Sequence, residues 1–236
     1  MKRILAVMTV WCVSACAAAD SLQTTQVPIA AGDSRVVRRV VSFQELRQSK
    51  LVRQNWDSSC GAAALSTVLT YRFGLSVSEY AVAAVILRGA DPARVRARGG
   101  FSLLDLKRFV EHIGLEGAGY GDMTLADLAA SPEPAIVPIR MRDLDHFVIF
   151  RGLRGDRVVV GDPAYGNLTL QRDLFEKYWK SRIAFYVRTR RTPPVPGTAL
   201  AATELDLFVP DLGYVSRLVR GDGPVPAMRQ QPLALR

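Results

Sequence analysis

Gln54-Asn55-Trp56-Asp57-Ser58-Ser59-Cys60-Gly61-Ala62 decides the reading of this chain. A polar loop runs into an Ala-rich apolar segment, with a thiol at the junction. Beyond it Ala64, Leu65, Val68, Leu69 and Phe73 recur at steps of three and four. That spacing predicts a helix starting at Cys60 and stopping at Gly74. A cysteine at the head of a helix meets the positive end of the dipole, which favours a thiolate. Gly61, directly after it, reads as room for a substrate backbone. The competing reading of a single cysteine is a buried, inert one.

The rest of the composition narrows the field. The chain has 236 residues, enough for one medium domain with tails, and 49% of them are hydrophobic. The net charge of +9 falls to +7 if residues 1–19 are removed, because Lys2 and Arg3 leave without an acid. Arginines carry the excess and are spread along the chain, with no basic block interleaved with aromatics. Nucleic-acid binding has little support, and a solvated basic surface accounts for the charge. Cys12 and Cys16 lie near the N-terminus, so no disulfide framework is expected around Cys60. His112 and His146 are the only histidines, and no Cys/His cluster has zinc spacing. No cofactor is expected.

Met1-Lys2-Arg3, the apolar run Ile4 to Val13 and Ala17-Ala18-Ala19 before Asp20 have the form of a signal peptide, residues 1–19. A periplasmic or secreted protein is expected. Val13-Ser14-Ala15-Cys16 also resembles a lipobox, which would make Cys16 a lipid anchor and bring membrane contact.

Residues 20–41 read as a lead-in, flexible at first, with a possible edge strand from Val36 to Val41. Ser42-Phe43-Gln44-Glu45 and Ser76-Val77-Ser78-Glu79 each read as a capping box opening a helix, the second running to about Leu87. Asp91 to Gly100 reads as an Arg-rich loop. Ser102-Leu103-Leu104-Asp105 opens a third helix that stops at Gly114.

The second half turns to strands: Leu115 to Tyr120, Ala135 to Met141, His146 to Leu153, Arg157 to Gly161, Asn167 to Leu170 and Ile183 to Val187. Short helices are expected over Thr124 to Ala130 and about Asp173 to Trp179. Arg154-Gly155-Asp156 could suggest integrin binding, but a hairpin turn between two strands explains it. Helices first and antiparallel strands after predict an α+β domain over residues 42–190. Residues 191–236 read as a Pro-containing tail with a few apolar groups, such as Leu205 to Val209, either packed as an arm or partly disordered, and without chemistry.

A nucleophilic cysteine needs a base, a group to orient the base, and oxyanion donors. His112 lies late in a helix and reads as a partly exposed or core-edge histidine. His146 opens a strand beside a polar loop, a rigid yet reachable place for a base. Asp162 ends the next strand, sixteen residues on, and an antiparallel pair would bring it beside His146 to fix the imidazole tautomer. Ordinary Asp-Pro turn chemistry is its competing role. Gln54, six residues before Cys60, could donate an N–H to an oxyanion together with the backbone of Cys60.

Together, Gln54, Cys60-Gly61-Ala62 opening a helix, His146-Phe147-Val148 opening a strand and Asp162-Pro163 ending the next resemble the bacteriocin-processing cysteine peptidases. Those papain-like domains cut leader peptides after a double glycine. The resemblance covers roughly residues 42 to 190, and Gly100-Phe101-Ser102-Leu103 resembles the exported stand-alone members. It implies a papain-like fold with N-terminal helices packed on a C-terminal antiparallel sheet. It also implies Cys60 as nucleophile, His146 as base and acid, Asp162 as its orienting partner and Gln54 as oxyanion donor. Two features depart from the pattern. Ser59 stands directly before the cysteine, where many members have an acid. No exporter membrane domain or phosphate-binding loop with its lysine accompanies the peptidase.

The implied function is hydrolysis of a peptide bond in an exported peptide or protein, with a secretion-system client as partner. Two other readings stand beside it. One is a peptidase-like module that grips an unfolded secretion client without cutting it. The other is acyl transfer on the same triad, since fold and triad do not fix the acceptor.

Overall fold

The computed structural model describes residues 25–31, 34–141, 144–189, 200–209 and 211. The expected signal peptide and the lipobox at Cys16 lie outside them, as do Arg142 and Asp143. Two units are distinguished, residues 1–41 and 42–236.

In the first unit, β1 (Thr25–Ala31) and β2 (Ser34–Val40) pair antiparallel, with Ala31 opposite Ser34. The lead-in, expected to be flexible ahead of a possible edge strand at Val36 to Val41, therefore holds a pair of strands. The signal overlooked is the recurrence of β-branched residues from Thr24 to Ile29 as well as from Val36 to Val41.

The second unit opens with α1 (Phe43–Gln48), whose Ser42–Glu45 capping box is present. It is followed by α2 (Cys60–Phe73), α3 (Glu79–Gly89), α4 (Pro92–Arg98) and α5 (Leu103–His112). Then come β3 (Glu116–Tyr120), α6 (Leu125–Ala130), β4 (Ala135–Met141), β5 (Leu144–Arg154), β6 (Arg157–Asp162), β7 (Gly166–Gln171), α7 (Arg172–Tyr178) and β8 (Ala184–Arg188). Helix α4 replaces the Arg-rich loop. Asp91 caps it, Pro92 starts it and Gly99 ends it in the left-handed conformation. Those signals outweigh the high charge of the stretch.

Strands β3 to β8 form one antiparallel sheet in the order β3-β8-β4-β5-β6-β7. Its strands alternate between two apolar cores, as a sheet covered on both faces requires. Ile136, Ile149, Phe185 and Val187 pack with Leu65, Leu69, Leu106 and Val110 of α2 and α5. Val137, Val148, Phe150, Val160 and Tyr186 pack with Leu128 of α6 and with Phe175 and Trp179 at and just beyond α7. The result is a helix–sheet–helix sandwich of α+β class.

Helix α2 is buried on nearly every side from Cys60 to Leu69, because small residues let its neighbours close around it. Gly61 explains how its head meets the sheet. A Cβ there would stand 3.2 Å from Phe147 and 3.7 Å from Leu106. The residue expected to make room for substrate therefore makes room for β5. At the other end, Arg72 bonds Glu133 at 2.6 Å, so α2 is anchored at both ends.

Of the two expectations for the tail, an arm or partial disorder, the described residues follow the first and pack on the domain. A short 3₁₀ turn (Glu204–Phe208) follows Leu200 and Ala202, and both of those are buried, as is Val209. A register shift between Phe150 and Gly152 sets Arg151 apart from the β5–β6 ladder. Arg151 is buried and donates to Asp206 at 2.8 Å, to Asn167 at 2.9 Å and to the Leu200 carbonyl at 2.9 Å. Sequence reasoning took Leu205 to Val209 as the apolar content of the tail. The structure exposes Leu205, Leu207 and Phe208 and buries the acid between them, because the partner is a buried guanidinium.

Arg154-Gly155-Asp156 is a tight turn. Arg154 pairs with Arg157 across it and bonds the Ala202 carbonyl, so the triplet has a structural role.

Candidate active site

Three of the four residues singled out in sequence meet. Cys60 begins α2, His146 lies near the start of β5 and Asp162 ends β6. All three are buried. His146 Nε2 lies 2.9 Å from Asp162 Oδ1. The same oxygen accepts backbone N–H bonds from Ala164 at 2.7 Å and Tyr165 at 3.0 Å. Asp162 therefore performs the turn role and the orienting role at once. The carboxylate can only accept, so Nε2 carries a proton and donates it to Asp162, which leaves Nδ1 for the thiol.

Burial alone pulls the His146 pKa down, but the hydrogen bonds the ring makes to Asp162 and Cys60, and the charges behind them, outweigh it. The imidazole is pushed up to about 10. The site thus sets the imidazole between a carboxylate and a thiol, an arrangement suited to a cysteine nucleophile.

Gln54 occupies the loop before Cys60. Its backbone N–H donates to the Pro163 carbonyl at 2.9 Å, which ties this loop to the turn holding Asp162. Its side-chain Nε2 donates to the Trp56 carbonyl at 3.1 Å, and Oε1 is buried without a partner. One Nε2 hydrogen is committed to the loop and the other is not. Arg53 reinforces the link by donating to the Pro163 carbonyl at 3.1 Å.

His112 is exposed, as a histidine at the last turn of an amphipathic helix tends to be. It lines a cleft of about 370 Å³ between α3 and α5 with Ile86, Arg88 and Phe109, and that cleft includes none of the four candidate residues.

Sequence reasoning missed Glu79. The expected capping box with Ser76 does not form, because Ser78 caps α3 by accepting from Ala81 N. The Glu79 carboxyl turns to the loop instead, where Asn55 and Ser59 donate to it. A buried acid opening the second helix is a signal only once the fold has placed that helix beside the loop. Gly100, with a backbone φ of 156°, supports the loop from another side. A Cβ there would lie 2.8 Å from the Ser58 carbonyl.

A family model described as the peptidase C39 family matches residues 48–191. The chain is 40% identical over 195 residues to a protein of Pseudomonas aeruginosa named probable functional amyloid protease FapD, covering 79% of this chain and 84% of that one. Its namesake in Pseudomonas fluorescens is 38% identical over 201 residues, 78% of this chain and 86% of that one. Among solved structures, the peptidase domain of Streptococcus ComA, described as a bi-functional ABC transporter, aligns with a TM-score of 0.51. The identity is 22%, over 61% of this chain and 100% of that one, a likeness of fold.

Proposed function

This chain belongs to the peptidase C39 family and is a cysteine peptidase, and on that premise we propose that it cleaves an exported peptide or protein with Cys60, His146 and Asp162. The observation that carries the assignment is the buried Cys60–His146–Asp162 cluster, with its 2.9 Å imidazole–carboxylate bond.

The chemistry follows from the geometry. The thiol proton resides on His146, and the sulfur attacks the scissile carbonyl. The backbone N–H of Cys60 and the uncommitted N–H of Gln54 receive the oxyanion. His146 then gives its proton to the departing amine as the C–N bond breaks. The acyl-enzyme is cleaved by a water whose proton passes to His146, and the acid product leaves with the sulfur free and the proton back on His146. Asp162 holds the ring in one orientation throughout, accepting from Nε2.

The relatives' name supplies the substrate class we carry over, a functional amyloid protein. The expected signal peptide agrees with an extracytoplasmic site of action. The test is a comparison of newly formed N-termini in the exported fraction of cells carrying the wild type or Cys60→Ala. Cleavage confined to the wild type supports the proposal. A Cys60→Ala strain that keeps full biological activity assigns the chain to client binding without cleavage.

A further inference from the structure

Glu79 is a carboxyl with 2% of its surface exposed, at the first position of α3. Its Oε1 accepts from Asn55 N at 3.0 Å and from the Ser59 hydroxyl. Its Oε2 accepts from Asn55 Nδ2 at 2.6 Å and from Asn55 N at 3.1 Å. These donors bracket residues 55–59, the last residues before Cys60. Burying a carboxyl costs free energy, and an apolar residue of similar size would serve stability as well or better. The carboxyl therefore points to geometry.

Ser59 shows what that geometry is. It is the N-cap residue of α2, yet its hydroxyl makes no bond to the amides of that helix. A serine in this place ordinarily accepts from the second or third amide. Here its hydroxyl is drawn to Glu79 and to Trp56, with Ser59 Oγ 2.7 Å from the Trp56 carbonyl. The Ser59 N–H also returns to that carbonyl at 3.2 Å. The loop is thus closed on itself and fastened to α3, and the leading amides of α2 keep their donors for the site.

We propose that Glu79 is the positioning residue of this active site. Through Asn55 and Ser59 it sets where the Cys60 sulfur and the Cys60 N–H stand relative to His146. The inference rests on the assignment of Cys60 as the nucleophile. It also gives the loop an acid where Ser59 itself is neutral. Tyr80, the next residue of α3, carries the clamp to the surface, where its ring stands 6.1 Å from that of Trp56.

The test uses the purified protein and two probes, iodoacetamide and an irreversible peptidyl vinyl sulfone. Displacing a nucleophile by a fraction of an ångström to one ångström costs about tenfold to a hundredfold in rate. Glu79→Ala is therefore expected to lower the inactivation rate constant by that factor while inhibitor binding stays within about twofold. Glu79→Gln, which keeps one acceptor oxygen, recovers part of the loss. Adding Ser59→Ala to Glu79→Ala costs little more, since both remove one interaction.

A Glu79→Ala protein that melts earlier but reacts at the wild-type rate per folded molecule overturns the proposal. If Glu79→Ala does not fold, Asn55→Ala and Ser59→Ala remove the same bonds from the loop side, and wild-type rates in both overturn it as well. His146→Ala separates the two levels of the argument. Wild-type labelling by that variant sinks the assignment of the site itself. Slow labelling by His146→Ala with wild-type labelling by Glu79→Ala sinks the positioning role alone.

Discussion

His146 and Asp162 bond at 2.9 Å although they are not partners in the β5–β6 ladder. The ladder's last pair toward the site is Ile149 with Gly161, and Asp162 is instead paired with Gly166 of β7. The side chains meet diagonally beyond the ladder's end, where Asp162 is held by two backbone N–H groups and cannot turn away. That fixed carboxylate makes the imidazole's environment predictable.

Asp162→Asn keeps an oxygen for the Ala164 and Tyr165 amides but removes the charge beside the imidazole. It is expected to fold normally and to lose activity first on the alkaline side, because the carboxylate helps hold the His146 pKa up. A pH–rate profile checks this. Asp162→Ala loses the turn as well and should also be less stable by about 1–3 kcal/mol in urea unfolding.

The same shift sets a pH dependence of stability. His146 titrates near 10 in the folded chain against an ordinary 6.5, so the folded state holds its proton more tightly. The stabilisation is complete below about 6.5 and is lost as pH rises through about 10. Unfolding measured across that window should show stability falling with pH, and His146→Ala should flatten the slope.

Gln54→Ala separates oxyanion stabilisation from thiol reactivity. Its backbone bond to Pro163 is retained. Turnover of a cleaved peptide should fall about a hundredfold to a thousandfold, the usual effect of losing one oxyanion donor. Alkylation of Cys60 by iodoacetamide forms no oxyanion and should stay near the wild-type rate. Equal losses in both assays would show that Gln54 acts on the thiol instead.

Gly100→Ala is expected to disturb the site from a distance. The new Cβ would meet the Ser58 carbonyl at 2.8 Å, in a backbone conformation that side chains rarely adopt. A cost of about 1–3 kcal/mol is expected. The calorimetric melting temperature and the Cys60 alkylation rate should fall together, because Ser58 lies two residues from the thiol.

Arg151→Ala or Asp206→Ala breaks a buried ion pair at 2.8 Å and leaves its partner uncompensated. Each should destabilise the domain by about 3–5 kcal/mol, and an apolar replacement of both should cost much less. Protease nicking between residues 200 and 209 should rise in the single variants. Unchanged protection there would remove the C-terminal segment from the folded unit.

Much of the site is legible in the sequence because its parts sit at element boundaries that leave local marks. Cys60 follows a polar loop and begins a three- and four-residue apolar rhythm, and Gly74 ends it in the left-handed conformation. Asp162 precedes a proline and caps a turn by a bond two residues long in sequence. Glu79 has no such mark. Its partners lie 20 and 24 residues away, and locally it suits a capping box as well as any glutamate. Gly61 likewise looks like an opening for substrate until Phe147 is placed against it.

The sequence by itself determined the α+β class, most of the helices and strands of residues 42–190, and the nucleophile, base and orienting acid as candidates. Those follow from periodicity, capping and turn chemistry, which act over a few residues. Only the tertiary structure decided that Glu79 clamps the nucleophile loop, that Gly61 seats α2 on β5, and that Asp206 locks the C-terminal segment onto Arg151. These depend on which distant groups the fold desolvates together, and a buried hydrogen bond or close contact has no period in the chain.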